Sequence, residues 1–234
     1  MKQIVVVTGC SKGLGLNITK RLLGLGYFVV GVARSSPDIL NPDFDFISCD
    51  FSDSEATTNT SVAITRKYPE LFALINNAAI GLDGLLTTQH NSEISKMVQT
   101  NLVSPIILCK YLSRPMLTNS RGRIINISSI VANTGYRGLS VYAATKGGLV
   151  SFTRSLARDL GPANINVNCI LPGFMESEMT KSLTGNKIEK IAERSAMKRL
   201  VDFDDVCSMV ELLLSDSGDG ISGSSIVIDA GNTA

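Results

Sequence analysis

Apolar runs of strand length recur along the chain, separated by longer segments whose apolar positions fall at helical spacing. Ile4–Val7, Phe28–Val32, Leu71–Ile75, Ile124–Ile127, Ile165–Ile170 and Ile226–Ile228 read as strands, and the run DFISC that ends at Cys49 reads as another. They are rich in Val and Ile and nearly unbroken, as expected for strands covered on both faces. Gly13–Leu25, Ser54–Lys67, Ser92–Leu117, Ser140–Leu160 and Asp204–Leu214 read as helices. Strand alternating with helix predicts an α/β fold: a doubly wound parallel sheet of about seven strands with helices on both faces. Such sheets bind ligands beyond the carboxyl ends of their strands, so the chemistry is expected just after each apolar run.

Nothing in the 234 residues reads as a linker, and a single domain over 1–234 is expected. Charged residues make up 18 % and mean hydropathy is +0.20, which points to a surface partly covered by other subunits. A net charge of +1 gives no reason to expect nucleic acid or an anionic membrane as partner. No apolar run reaches the ~18 residues of a membrane span. The opening MKQIVVVTGC has too short an apolar core for a signal peptide, so the expected location is cytoplasmic. Cys10, Cys49, Cys109, Cys169 and Cys207 form no CxxC pair, and His90 is the single histidine, so neither disulfides nor a metal site is expected.

Gly9, Gly13 and Gly15 follow the first strand and open the first helix as GxxxGxG. Missing Cβ atoms let a pyrophosphate approach the backbone, and a helix N-terminus favours its charge. A plain strand–helix turn explains three glycines equally well, but further motifs follow in order. These are TGCSKGLG, NNAA at Asn76–Ala79, Asn101, SSIVANTGYRGLSVYAATK at Ser128–Lys146 and PGFMES at Pro172–Ser177. Together they resemble the short-chain dehydrogenase/reductase family, over essentially the whole chain to the final GISGSSIVIDAG. The resemblance implies a Rossmann-type fold. One departure is Ala79, where the family usually has glycine, so a slightly altered loop is expected.

Tyr142 and Lys146 stand at i, i+4 and share one helix face. A phenol titrates near ~10, too high for proton transfer at neutral pH, and a nearby ammonium is expected to lower that value. Ser129, thirteen residues before Tyr142, matches the family's catalytic serine, whereas its neighbour Ser128 reads as structural. The resemblance implies hydride transfer between a nicotinamide and a carbonyl carbon. Tyr142 gives the proton, Ser129 orients the oxygen, and Lys146 tunes Tyr142 and meets the nicotinamide ribose. Asn101 shapes the site and holds a water linking Lys146 to solvent.

The same resemblance assigns cofactor contacts to Ser11, Lys12 and Leu14 of the loop, to Asp50 and Phe51 at the adenine, and to Asn77, Ala78 and Ala79. Pro172, Gly173, the backbone near Met175 and the hydroxyl of Ser177 are expected at the carboxamide. After the second strand the chain reads GVARSS, with no carboxylate to bond a ribose 2′-OH. Arg34 with its two serines, and Lys12, suit a 2′-phosphate instead, so NADP(H) is expected.

A lid is expected at about 174–200, where Phe174, Met179 and Leu183 either face substrate or only pack. The motifs most resemble the 3-oxoacyl-acyl carrier protein reductases. The two arginines that usually dock the acidic carrier align with Ser120 and Ala163, leaving Arg121, Arg123, Arg154 and Arg158 as basic candidates. The alternative substrate is a free ketone or secondary alcohol in specialised metabolism. A non-catalytic NADP(H) sensor would be expected to lose Tyr142 or Lys146, and both are present. Apolar residues around much of Ser92–Leu117 and Ser140–Leu160 exceed one sheet-facing stripe, and with the resemblance they predict a homotetramer.

Overall fold

The computed structural model describes residues 2–176 and 186–234. Seven parallel strands form one sheet in the order β3-β2-β1-β4-β5-β6-β7. They are β1 (Ile4–Thr8), β2 (Phe28–Ala33), β3 (Phe44–Ser48), β4 (Leu71–Asn76), β5 (Gly122–Ile127), β6 (Ile165–Pro172) and β7 (Ser225–Ile228). Side chains alternate across each strand. Val5 and Val7 pack with Leu14, Ile18 and Leu22 of α1 (Gly13–Gly24) and with Val206 and Val210 of α7 (Phe203–Leu214). Val6 faces the other way, into a layer with Ile64 of α2 (Ser54–Lys67) and with Leu108, Leu112 and Met116 of α4 (Ser104–Thr118). That burial on both faces is why the central strands are mainly apolar, and why asparagines among them are tied by hydrogen bonds, as Asn76 Nδ2 is to Asn126 Oδ1 at 2.8 Å.

The predicted helix Ser92–Leu117 is three pieces: α3 (Asn91–Val98), a π-helical turn Gln99–Val103, and α4. Pro105 explains the break. It has no N–H for the carbonyl of Asn101 four residues earlier, so the regular ladder cannot continue there. The π turn rotates Asn101 inward, where it is 1 % exposed. α5 (Ser140–Leu160) carries Tyr142 and Lys146, and α6 (Asn186–Arg194) follows the undescribed stretch 177–185. Met179 and Leu183 lie outside the described residues, as does Ser177. Among the described residues no helix is long and apolar enough to cross a membrane.

The strand order reverses between β1 and β4. Ligands of open α/β sheets bind at such a switch point, above the carboxyl ends of the flanking strands. The glycine loop leaves β1 there and the NNAA segment leaves β4.

Candidate active site

The two segments at the switch point are tied together. Thr8 Oγ1 accepts the backbone N–H of Asn77 at 2.9 Å and of Ala78 at 3.0 Å, while Asn77 Nδ2 donates to the Thr8 carbonyl at 2.9 Å. Gly15 lets the first helix sit this close: a Cβ there would lie 2.2 Å from the Gly9 carbonyl oxygen and 2.4 Å from Asn77 Nδ2. Gly13 serves differently. It holds φ at +54°, and a Cβ on it would meet nothing within 4 Å, because it faces the open cleft. Ala79 is not in the left-handed region, so alanine is accommodated there without backbone strain.

A cleft of about 390 Å³ opens above this junction. Gly9, Ser11, Lys12, Gly13, Leu14 and Gly15 form one wall, and Arg34, Asp50 and Phe51 form the far end. Asn77, Ala78 and Ala79 complete the middle, and Tyr142, Lys146 and Met175 the near end. Phe51 is 5 % exposed and is largely core. Asp50 Oδ1 accepts from the N–H and hydroxyl of Ser52, which with the Arg34 and Lys96 charges hold its carboxyl below the ordinary range. Lys96 and Thr100, which the sequence reading did not single out, also line this cleft. Thr100 Oγ1 is buried there with no partner among the described residues. A glycine floor open to the cleft, a guanidinium at its far end and an orphaned hydroxyl fit a phosphorylated dinucleotide.

A second cleft, of about 630 Å³, lies beyond Tyr142. Ser129, Pro172, Gly173 and Phe174 line it, and among the described residues only Ser128, Tyr142 and Met175 line both clefts. Tyr142 therefore stands at the wall between the two. Ser129 ends β5 and begins a 3-10 turn; its Oγ receives only a long contact from Val131 N at 3.4 Å, which leaves the hydroxyl proton to donate. Ser128 is structural, as expected: its Oγ donates to the Lys146 carbonyl at 2.9 Å. Asn101 lines neither cleft. Its Oδ1 accepts Ile80 N–H at 2.9 Å and its Nδ2 donates to Ile80 O at 2.8 Å, bracing the loop after β4.

One expectation is corrected by the geometry. Lys146 Nζ donates to the Ile127 carbonyl at 2.8 Å and lies 5.6 Å from the centroid of the Tyr142 ring. Burial outweighs any help it gives the phenolate: desolvation, with the Asp83 charge added, pushes Tyr142 up to about 12. Burial pushes Lys146 down from 10.5 to about 8. Tyr142 is thus a protonated donor at neutral pH, poised as an acid. Lys146 is an ammonium below about pH 8 and a neutral amine above it. Its charge favours the anion left when Tyr142 gives up its proton, so the rate of carbonyl reduction is expected to fall as pH rises through about 8. A pH profile of kcat/KM that stays flat between pH 7 and pH 9 would contradict this role.

Of the basic candidates at the fifth strand, Arg123 is corrected, whereas Arg121 stays exposed. Arg123 is 3 % exposed, ion-paired to Asp219 and bonded to Asn166 Oδ1 at 3.1 Å. Arg121 stacks on Phe72 with its guanidinium carbon 5.1 Å from the ring centroid. Both stand at the amino end of β5 and line neither of these two clefts, and Arg154 and Arg158 line neither of them either. Among the described residues no group of His, Cys, Asp or Glu is placed to hold a metal ion.

The family model described as short chain dehydrogenase matches residues 3–188. A 3-oxoacyl-[acyl-carrier-protein] reductase of Salmonella typhimurium is 33 % identical, covering 98 % of this chain and 96 % of that protein. Its counterpart in Escherichia coli K12 is 32 % identical over the same shares. Among solved structures, ElxO with NADP bound is 28 % identical with a TM-score of 0.91, covering 99 % of both chains. A 4-hydroxyisoleucine dehydrogenase complexed with NADH is 26 % identical with a TM-score of 0.94, again covering 99 % of both. Fold, site geometry and comparisons agree, and the chain belongs to the short-chain dehydrogenase family of nicotinamide-dependent oxidoreductases.

Proposed function

We propose that the protein is an NADP(H)-dependent carbonyl reductase whose substrate is a 3-oxoacyl thioester. The observation that carries the reading is Tyr142, a protonated phenol at the wall between a dinucleotide-shaped cleft and a second, largely apolar one. A bound nicotinamide would supply the hydride. Tyr142 delivers the proton to the carbonyl oxygen, and Ser129 donates a hydrogen bond to that oxygen as charge builds on it. Lys146 holds the β5 terminus through Ile127 and supplies positive charge beside the phenol. A high phenol pKa suits the acid role of reduction better than the base role of alcohol oxidation. The thioester part rests on the two acyl carrier protein reductases at 33 % and 32 % identity. A free ketone is the second reading, favoured by the burial of Arg123, which removes it as a carrier-docking residue.

Preference for NADPH rests on Arg34, exposed at the far end of the cleft with no acidic residue directly after β2. Arg34→Ala is expected to raise the KM for NADPH by about tenfold to a hundredfold and leave that for NADH nearly unchanged. Equal losses for both cofactors would remove Arg34 from 2′-phosphate recognition. Assembly as a homotetramer stays part of the reading, supported by Ile106 on α4, which is 38 % exposed in the single chain. Turnover of acetoacetyl-CoA with NADPH, followed by loss of NADPH absorbance, tests the whole.

A further inference from the structure

The substrate cleft carries two cations that the chemistry above does not use. Arg137 and Arg194 both line it, both are exposed, and neither belongs to any ion pair among the described residues. They come from separate elements. Arg194 ends α6, three residues after Ile191, so the two side chains share one helix face and both line the cleft. Arg137 sits in the loop before α5, and that loop is fastened at several points. Tyr136 donates its hydroxyl to Asn232 Oδ1 at 3.2 Å, and its ring meets Phe174 edge-on at 5.4 Å. Gly138 O accepts Gly84 N–H at 3.0 Å. Arg137 is therefore presented from a braced turn.

Two carboxylates line the same cleft without neutralising these charges. Glu93 Oε2 takes the His90 N–H at 3.4 Å, at the start of α3. Asp83 is near enough to Tyr142 to help raise its pKa, so its field bears on the reacting end. The remaining lining includes Ile130, Val131 and Leu139, which suits an acyl or alkyl chain between the reacting carbonyl and a charged end.

We propose that Arg137 and Arg194 form an anion subsite that holds a negatively charged group at the non-reacting end of the substrate. The proposal rests on the carbonyl-reductase reading and narrows its substrate class. Guanidinium forks suit carboxylate and phosphate alike. The anion is therefore either the carboxylate of a free oxo acid or the phosphate of a pantetheine arm carrying an oxoacyl thioester.

The test compares matched probes with NADPH on the full-length protein. One pair is a medium-chain oxo acid and its methyl ester. The other is acetoacetyl-phosphopantetheine and acetoacetyl-pantetheine. At least one anionic probe is expected to show a KM about tenfold below its neutral partner, and Arg137→Gln and Arg194→Gln are each expected to remove that gap. The kcat, the KM of the neutral probe and the KM for NADPH are expected to hold. The pair that shows the gap names the source of the anion. Equal KM values within both pairs in the wild-type protein would overturn the subsite, as would variants that weaken neutral and anionic probes alike. Neutral probes turned over with no charge preference would leave the reductase reading intact. If no probe turns over, that reading fails by itself. Calorimetric binding of the same pairs to the NADP+-loaded protein then decides the subsite, with the same tenfold criterion.

Discussion

Tyr142→Phe is expected to lower kcat for carbonyl reduction by about a thousandfold while NADPH still binds within a few-fold of the wild-type affinity. The variant keeps the ring that separates the two clefts and the face over which Lys146 Nζ lies at 5.6 Å. It removes only the phenol hydroxyl, and with it the proton to be donated. Burial holds that proton on the oxygen up to about pH 12, so it is present for donation across the working range. The variant removes one cleft-lining hydroxyl that has no hydrogen-bond partner among the described residues and adds no volume, so the thermal midpoint is expected to hold. A second donor replacing Tyr142 would show as a kcat loss of less than tenfold. Parallel stopped-flow binding of NADPH separates that outcome from a damaged cleft.

Gly15→Ala is expected to have the other large effect, on folding as well as binding. The new Cβ would lie 2.2 Å from the Gly9 carbonyl oxygen and 2.4 Å from Asn77 Nδ2, so backbone must move. That movement breaks the tie between the glycine loop and the segment after β4, which Asn77 makes through Thr8 O at 2.9 Å. A loss of about 3 kcal/mol in unfolding free energy is expected, with NADPH binding lost as well. Gly13→Ala is the contrast. Its Cβ has space within the protein, so strain from φ of +54° costs only about 1–2 kcal/mol. The methyl group instead intrudes on the cleft, and NADPH affinity is expected to fall by at least about tenfold. Denaturant midpoints and cofactor titrations of the two variants read these effects apart. Gly15→Ala with wild-type stability would contradict the packing account of the loop.

The core of the fold is legible because the sheet imposes its pattern directly. β1, β5 and β6 are buried on both faces and read as mainly apolar runs, broken in β5 by Arg123 and Asn126 and in β6 by Asn166 and Asn168. β3 reads less cleanly because it is the edge strand, half-buried, with Asp45 placed to accept from Lys67 Nζ at 2.7 Å. Helical periodicity alone runs α3 and α4 together, since a π turn keeps the apolar face nearly continuous. The signal that breaks them is Pro105, four residues after Asn101, and it stands in the sequence.

The site is legible where spacing sets geometry and illegible where burial does. Tyr142 and Lys146 share a face because they are four residues apart on α5. Their titration follows from how deeply α5 buries them, which spacing does not encode. Arg123 looks like a surface cation until the fold brings Asp219, 96 residues later in the chain, against it. Lys96 and Thr100 reach the dinucleotide cleft only because the π turn and α3 pass over it, and no motif marks them. Arg137 and Arg194 lie 57 positions apart by their numbers and converge only in the folded substrate cleft.

The most direct test of carbonyl reduction is the stoichiometry of one reaction: NADPH consumed against 3-hydroxybutyryl-CoA formed from acetoacetyl-CoA. The account predicts one hydroxyacyl product for each NADPH lost, with both quantities falling together in Tyr142→Phe. A folded protein that binds NADPH yet consumes none with this thioester, or with any of the free oxo acids, would contradict it.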